Sequence, residues 1–169
     1  MFYVAFITFV NTWAQEVPVI SGETINNIKI NLPADLIGKY SLLCFASSSK
    51  AETDLQSWLD PVYQKFIAKT GIMDDMYDVN VFFIPVLTGT NFTFAGSMKK
   101  KFKENTQEDL QSHVIFCNEE GKNILAALQM EKSETSHIFL LNKECKVVYR
   151  TTGRYTEEKF DLIDDLLED

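Results

Sequence analysis

The amino-acid sequence predicts an α/β domain in which a central mixed β-sheet carries helices on both faces. Short apolar runs typical of buried strands alternate along the chain with segments of helical spacing. This alternation ends in two short strands joined by a tight turn, followed by a covering helix. Neither a repeat nor a Pro/Gly-rich linker divides the 169 residues, so one domain with an N-terminal appendage accounts for the length.

Residues 1–15 have the composition of a secretory signal peptide. Residues 2–10 are almost wholly apolar, and small or polar residues follow as far as Gln15. The apolar run is shorter than the roughly 20 residues that span a bilayer. We therefore predict export to the periplasm or cell envelope of a bacterium, with cleavage near Ala14 or Gln15 and a domain over residues 16–169. The alternative is a buried N-terminal strand or helix.

The first half of this domain contains two predicted strands and one long helix. Alternating residues at 24–32 predict a half-buried strand that ends at Pro33, and the apolar run 40–46 predicts a strand buried on both faces. Residues 51–69 have helical spacing, with a kink expected at Pro61. The apolar stripe of this helix consists of Leu55, Trp58, Leu59, Val62 and Phe66.

The second half continues the alternation and closes it with a β-hairpin and a helix. Thr156 is expected to cap the last helix, since a hydroxyl accepts well from the free N–H groups of a first turn. The predicted strands cover 79–86, 113–117, 137–141 and 146–150, and the predicted helices cover 123–130 and 156–168.

A basic insertion at about residues 87–111 separates two of these strands. Three apolar residues recur there every four positions among several lysines, which predicts one amphipathic helix. Such a helix can dock on a partner protein or lie on an anionic membrane surface. Alternatively, the lysines form a solvated face over a stripe that joins the core. The residues of this possible partner or membrane surface are Phe94, Met98, Lys99, Lys100, Lys101, Phe102 and Lys103.

The three cysteines do not form a Cys-x-x-Cys pair or a zinc-type spacing, so we predict no metal and no cofactor. Cys44 and Cys117 lie in apolar runs and are expected to be small core residues. Cys145 falls in the hairpin turn and is expected to be the most exposed. The formal net charge of −8 argues against nucleic-acid binding, which needs clustered Lys and Arg.

The order of these motifs resembles that of thioredoxin-like (redoxin) domains. In those domains an apolar stretch, a Gly-Lys turn and a buried strand lead into the active-site loop, as residues 30–45 do here. The strand pair 137–150 resembles their C-terminal hairpin, and Pro61 resembles the bend of the helix after the active site. The resemblance implies a thioredoxin-like central mixed sheet flanked by helices, with an inserted basic helix and a C-terminal hairpin plus helix.

The chain departs from that pattern at the active site. Redoxins hold a reactive cysteine at the N-terminus of the first long helix, where the helix dipole favours the thiolate. Here Lys50 and Thr53 align with the two cysteines, and neither can carry out thiol–disulfide exchange. The serines before them are either an ordinary helix cap or an anion-binding loop. The degenerate loop consists of Ser47, Ser48, Ser49, Lys50 and Thr53, and Ser136 and His137 lie where redoxins place a facing cis-proline.

One branch of the superfamily resembles the chain more fully, namely the mitochondrial ATP-synthase assembly factors that escort the proton-channel subunit. Its basic insert corresponds to residues 99–103, and its helix after the loop corresponds to Trp58 and Pro61. Its closing hairpin resembles residues 139–142, residues 146–149 and Gly153. This resemblance implies a mitochondrial location as an alternative to the bacterial envelope.

Three functional hypotheses follow. The first is a redox-inactive, exported binding protein that acts as an assembly or chaperone-like factor with a protein partner. The second is a thiol-dependent peroxidase or oxidoreductase that uses Cys44. The third is a membrane-surface binder that acts through the basic helix. A serine hydrolase is disfavoured because the available histidines, His113 and His137, both fall in apolar strands.

Overall fold

The computed structural model describes residues 16–119, 121–130 and 134–168. The predicted signal peptide, residues 1–15, lies outside the described residues. The strands are β1 (Ile20–Thr24), β2 (Lys29–Leu32), β3 (Tyr40–Ala46), β4 (Val79–Pro85), β5 (Ile115–Cys117), β6 (His137–Leu141) and β7 (Val147–Thr152). The helices are α1 (Ser49–Val62), α2 (Gly89–Thr93), α3 (Ala95–Asn105), α4 (Gly121–Ala127) and α5 (Glu157–Glu168).

The strands form the mixed sheet that the sequence predicts. Strand β3 lies at its centre, parallel to β4 and antiparallel to β6, and β7 completes the order β4-β3-β6-β7. An antiparallel group in the order β2-β1-β5 lies beside β4, joined to it by a parallel bridge between Phe83 and Val114. The fold class is therefore confirmed.

The first part of the sheet differs from the expectation of one strand over residues 24–32. The chain instead forms a hairpin in which β1 pairs with β2, and the turn between them is closed by a hydrogen bond from the Thr24 N–H to the Ile28 carbonyl (2.9 Å). Asn27 occupies the turn with a φ of 63°, a conformation that asparagine tolerates better than most residues. The single-strand prediction was wrong because the alternation of Ile28, Ile30 and Leu32 continues one strand of a pair and contains no signal for the partner.

The long helix α1 matches its predicted stripe except at one position. Trp58 and Val62 are fully buried and Phe66 nearly so, whereas the side chain of Leu59 is 36% exposed. Beyond Pro61, where the sequence predicts a kink, the helix changes type and the backbone continues as a π-helix over Tyr63–Ile67. Proline has no N–H to donate to the preceding turn, which favours such a change.

The sheet separates two apolar layers. Leu43, Phe45 and Phe139 point towards α4, where they pack with Ile124. The alternate residues point the other way and pack against α1 and α5, in the cluster of Leu42, Cys44, Trp58, Ile138 and Ile163. The opposite directions follow from the two-residue period of a strand.

The C-terminal hairpin and helix confirm the predicted ending. Strands β6 and β7 pair antiparallel, and α5 covers the layer that contains Ile163. The Thr156 hydroxyl accepts from the Lys159 N–H at 3.4 Å, as a helix cap does.

The cysteine in the hairpin turn is buried, although the sequence predicts that it is the most exposed of the three. Cys145 is 7% exposed, because the turn folds against the β2 end and its thiol lies 3.4 Å from the carbonyl oxygen of Pro33. Cys44 is fully buried, as expected, and Cys117 is half-buried and packs against the α4-side core. The sequence places Cys145 in a turn, but only the tertiary contact with Pro33 decides its exposure.

Candidate binding face

The serine loop caps α1. The Ser48 hydroxyl accepts a hydrogen bond from the Ala51 N–H at 3.2 Å, and the Ser48 backbone is extended, as an N-cap requires. The following residue, Ser49, is exposed in the first turn. This end of α1 lies at the carboxyl end of β3, where a redoxin carries its cysteine pair.

The two residues that align with the missing cysteines have structural contacts instead. The Lys50 ammonium lies 2.7 Å from the Glu134 carboxylate, an exposed ion pair that raises the pKa of Lys50 and lowers that of Glu134 through their hydrogen bond. The Thr53 hydroxyl donates to the carbonyl of Ser49 one helical turn earlier, at 3.0 Å. Lys50 and Glu134 thus join the loop to the segment before β6.

The carbonyl oxygen of Gly153 connects the other side of the loop to the sheet. It accepts from the Trp58 indole N–H at 2.9 Å and from the Ser136 hydroxyl at 3.0 Å. Ser136 is fully buried, so its hydroxyl needs such a partner. Ser136 therefore fixes the end of β7, in the region where redoxins place their cis-proline.

His137 belongs to a buried cluster on the α4 side of the sheet. Its ring stacks near Phe139, and its Nδ1 lies 3.3 Å from the Arg150 guanidinium, which also donates to the Gln129 carbonyl at 2.9 Å. Burial, followed by the charge of Arg150, lowers the pKa of His137 to about 4. At neutral pH the imidazole is therefore uncharged.

Burial is the main influence on the pKa of each of the three thiols. Burial raises the pKa of Cys44 far above its ordinary value, and burial followed by the charge of Glu119 raises the pKa of Cys117 to about 12. Burial also raises the pKa of Cys145. Each shift disfavours the thiolate, which is the nucleophile in thiol chemistry.

The basic insertion forms two helices rather than one. Phe94 lies at the junction of α2 and α3 and is 57% exposed, while Met98 and Phe102 pack against the α1-side core. The rings of Phe102 and Phe116 meet edge to face at 5.4 Å. The sequence spacing identified the helical residues but not the break at Phe94.

The lysines of α3 divide into two groups. Lys99 is fastened to the β1–β2 hairpin, because its ammonium lies 3.2 Å from the Glu23 carboxylate and 2.9 Å from the Asn27 side-chain oxygen. Lys100, Lys101 and Lys103 are exposed, and no ion pair with a described residue involves them. These three remain available to a partner.

A groove of about 510 Å³ lies between α1, the end of β4 and the insertion. Phe83, Leu110 and Val114, all nearly buried, are among its apolar lining, and Leu55 and Leu59 line it from α1. Its volume lies within the range of roughly 300–1,000 Å³ that is usual for ligand pockets. The sequence pattern does not predict this groove, which accounts for the exposed position of Leu59 in the apolar stripe.

The lining of the groove includes two charged residues beside several uncharged polar ones. Glu52, from the first turn of α1, contributes a carboxyl group whose pKa is raised by burial, and Lys101 contributes a cation from the opposite wall. Ala46, which directly precedes the serine loop, is among the lining residues. The serine loop, the groove and the exposed α3 lysines are together called the binding face below.

A family model described as ATP10 protein matches residues 1–168. The chain belongs to the ATP10 family. The family resemblance inferred from the sequence motifs is therefore confirmed, and it identifies a thioredoxin-fold protein of an assembly-factor family. No curated protein matches the chain in sequence.

Solved structures support the fold. A thiol:disulfide interchange protein from Bacteroides sp. superposes with a TM-score of 0.63 at 16% identity, covering 92% of this chain and 90% of that one. BsSco, a member of the Sco family of cytochrome c oxidase assembly proteins, gives a TM-score of 0.61 at 15% identity, with 91% and 92% covered. Copper-bound yeast Sco1 gives 0.58 at 16% identity, with 92% and 94% covered. At these identities the likeness concerns the fold alone.

The described residues contain neither a metal-ligating cluster nor a helix that could span a membrane. No group of three or more His, Cys, Asp or Glu side chains in this part of the chain is arranged to hold a metal ion. Within the same residues, no helix has the length and apolar character needed to cross a membrane.

Proposed function

We propose that this chain is a redox-inactive assembly factor of the mitochondrion that binds a subunit of ATP synthase through the binding face. The observation that carries the proposal is the N-terminus of α1. There Ser48 caps the helix, Lys50 pairs with Glu134 and Thr53 bonds to its own helix, so the position of the redox pair has a structural role.

The thiols support the same conclusion. A peroxidase or oxidoreductase based on Cys44 needs an accessible thiolate, whereas Cys44 is fully buried with a raised pKa. Its neighbours in the α1-side core are apolar. The hypothesis of a thiol-dependent peroxidase or oxidoreductase that uses Cys44 therefore has little support.

Membership of the ATP10 family favours the mitochondrion over the bacterial envelope suggested by residues 1–15. The export prediction rested on those residues alone. Location is tested by fractionating cells that express the tagged chain. We expect the tagged chain to co-purify with mitochondria. We also expect it to be protected from added protease until the membranes are opened.

Redox inactivity is tested on the purified protein with insulin reduction and hydrogen peroxide consumption as assays. We expect rates equal to the protein-free control, and alkylation of Cys44 only after unfolding. Cys117 is half-buried and should react earlier than Cys44, which gives an internal comparison. A catalytic rate that is lost in Cys44→Ser would contradict the proposal.

Partner binding is tested by placing a photo-crosslinking residue at Gln56, which is exposed and lines the groove. The matched control carries the crosslinker at Leu162, an exposed position on α5 outside the groove. We expect an ATP-synthase subunit to be crosslinked from position 56 and not from position 162. Absence of that subunit from both samples would refute the proposed function.

A further inference from the structure

We propose that the groove binds an apolar segment of the partner polypeptide whose flanking residues are acidic. This inference rests on the proposed function and adds the chemistry of the bound segment. It combines the shape of the groove with the charge along one of its walls.

The apolar part of the segment is inferred from the lining. Leu55 and Leu59 on α1 and Phe102 on α3 form the walls over the nearly buried Phe83 and Leu110. Burying apolar side chains against these walls would contribute about 25 cal/mol for each Å² removed from water. A volume of about 510 Å³ accommodates a few side chains and not a folded domain.

The acidic flank is inferred from charge complementarity. The chain as a whole carries a formal charge of −8, yet α3 contains four lysines and one acidic residue, Glu104. Lys99 is engaged with Glu23, while Lys100, Lys101 and Lys103 are exposed on α3, and Lys101 lines the groove. An acidic flank on the bound segment would neutralise this local positive charge and would favour one orientation of binding.

A polypeptide fits the surface better than an anionic membrane does. Membrane binding by a basic helix requires its apolar stripe to enter the lipid. Of the three apolar residues in this stripe, Met98 and Phe102 pack against the core and Phe102 meets Phe116, which leaves only Phe94 exposed to enter lipid. The groove beside Lys101 is concave, and a flat bilayer cannot fill it.

The test uses two synthetic peptides with the same leucine-rich centre, one flanked by glutamates and the other by lysines. Binding to the full chain is followed by fluorescence anisotropy at physiological salt. We expect the glutamate-flanked peptide to bind about tenfold more tightly, which corresponds to a few exposed charge pairs. Reversal of charge in the triple variant Lys100→Glu, Lys101→Glu, Lys103→Glu should invert the preference.

Leu59→Glu should weaken both peptides, because it puts a charge on the apolar wall, and Leu162→Glu on α5 should affect neither. Anionic phosphatidylglycerol vesicles are the third probe, and the wild-type chain should not bind them. Equal affinity of the wild-type chain for the two peptides would overturn the inference. Binding to the vesicles but to neither peptide, with the vesicle binding lost in the lysine-reversal variant, would overturn it as well. If Leu59→Glu still crosslinks the native partner from position 56, the groove assignment fails while the assembly function stands.

Discussion

The indole N–H of Trp58 donates to the carbonyl oxygen of Gly153 at 2.9 Å, which ties α1 to the end of β7 across 95 positions of the sequence. Trp58 is fully buried and meets Tyr155 edge to face at 5.4 Å. The same carbonyl accepts from Ser136. One oxygen atom thus joins the helix that follows the degenerate loop, the segment before β6 and the hairpin end.

Trp58→Phe should lower the free energy of unfolding by about 1–3 kcal/mol, because it removes this hydrogen bond and leaves unfilled volume beside Tyr155. The measurement is urea denaturation followed by circular dichroism. Ile72→Ala is the control, since Ile72 is fully exposed and its truncation should cost less than about 0.5 kcal/mol. Equal effects of the two substitutions would contradict this prediction.

Lys65 forms a more protected ion pair than Lys50 does. Lys65 contacts Asp164 of α5 with side chains only 22% and 25% exposed, and its ammonium lies 4.8 Å from the centre of the Tyr77 ring. The Lys50–Glu134 pair has side chains 66% and 76% exposed. Water therefore screens the Lys50–Glu134 pair more strongly than the Lys65–Asp164 pair.

Lys65→Met should destabilise the fold by about 2 kcal/mol, because Asp164 loses the partner of its partly buried carboxylate. Lys50→Met should have little measurable effect on unfolding, since the exposed pair is screened by water. Thermal and urea unfolding of both variants provide the measurement. A larger loss in Lys50→Met would show that the loop contact, and not the α5 contact, stabilises the domain.

Acidic pH should destabilise the protein through His137. The pKa of His137 is lowered to about 4 in the folded chain, against an ordinary value of 6.5, so the unfolded chain binds the proton first as the pH falls. The stability contribution is complete above about pH 6.5 and is lost progressively down to about pH 4. The loss for this residue is at most about 3 kcal/mol.

The measurement compares the free energy of unfolding at several pH values in the wild type and in His137→Gln, which keeps a hydrogen-bond acceptor for Arg150. The decline between pH 6.5 and 4 should be shallower in His137→Gln. His113→Gln is the matched control, because it removes the other histidine and leaves the His137 component in place. Identical pH profiles for the wild type and His137→Gln would refute the assignment.

Lys99 should hold α3 against the β1–β2 hairpin, whereas the neighbouring Lys100 should not. Lys99→Met removes the contacts with Glu23 and Asn27, so amide hydrogen exchange in residues 95–105 should accelerate severalfold. The cost in global stability should stay below about 1 kcal/mol, because the pair is partly exposed. Lys100→Met, at an exposed position, should leave the exchange unchanged, and equal acceleration in both variants would contradict the distinction.

The sequence by itself determined the fold class, the buried central strands, the closing hairpin and the family, because these depend on local periodicity and on short motifs. Apolar runs over 40–46 and 137–141 predict buried strands wherever they pack, and Thr156 caps a helix through a neighbour three residues away. The replacement of the redox pair by Lys50 and Thr53 is likewise visible from the order of residues alone.

The tertiary structure alone decided which side chains meet. Cys145 is buried because its turn folds against Pro33. Residues 24–32 form the turn and second strand of a hairpin, which is closed by the hydrogen bond from the Thr24 N–H to the Ile28 carbonyl. Lys99 differs from Lys101 because Glu23 lies beneath one and not the other, and the groove exists because Leu59 faces the insertion across the end of β4. Such contacts join residues far apart in the chain, and local spacing contains no information about which distant partner a side chain will find.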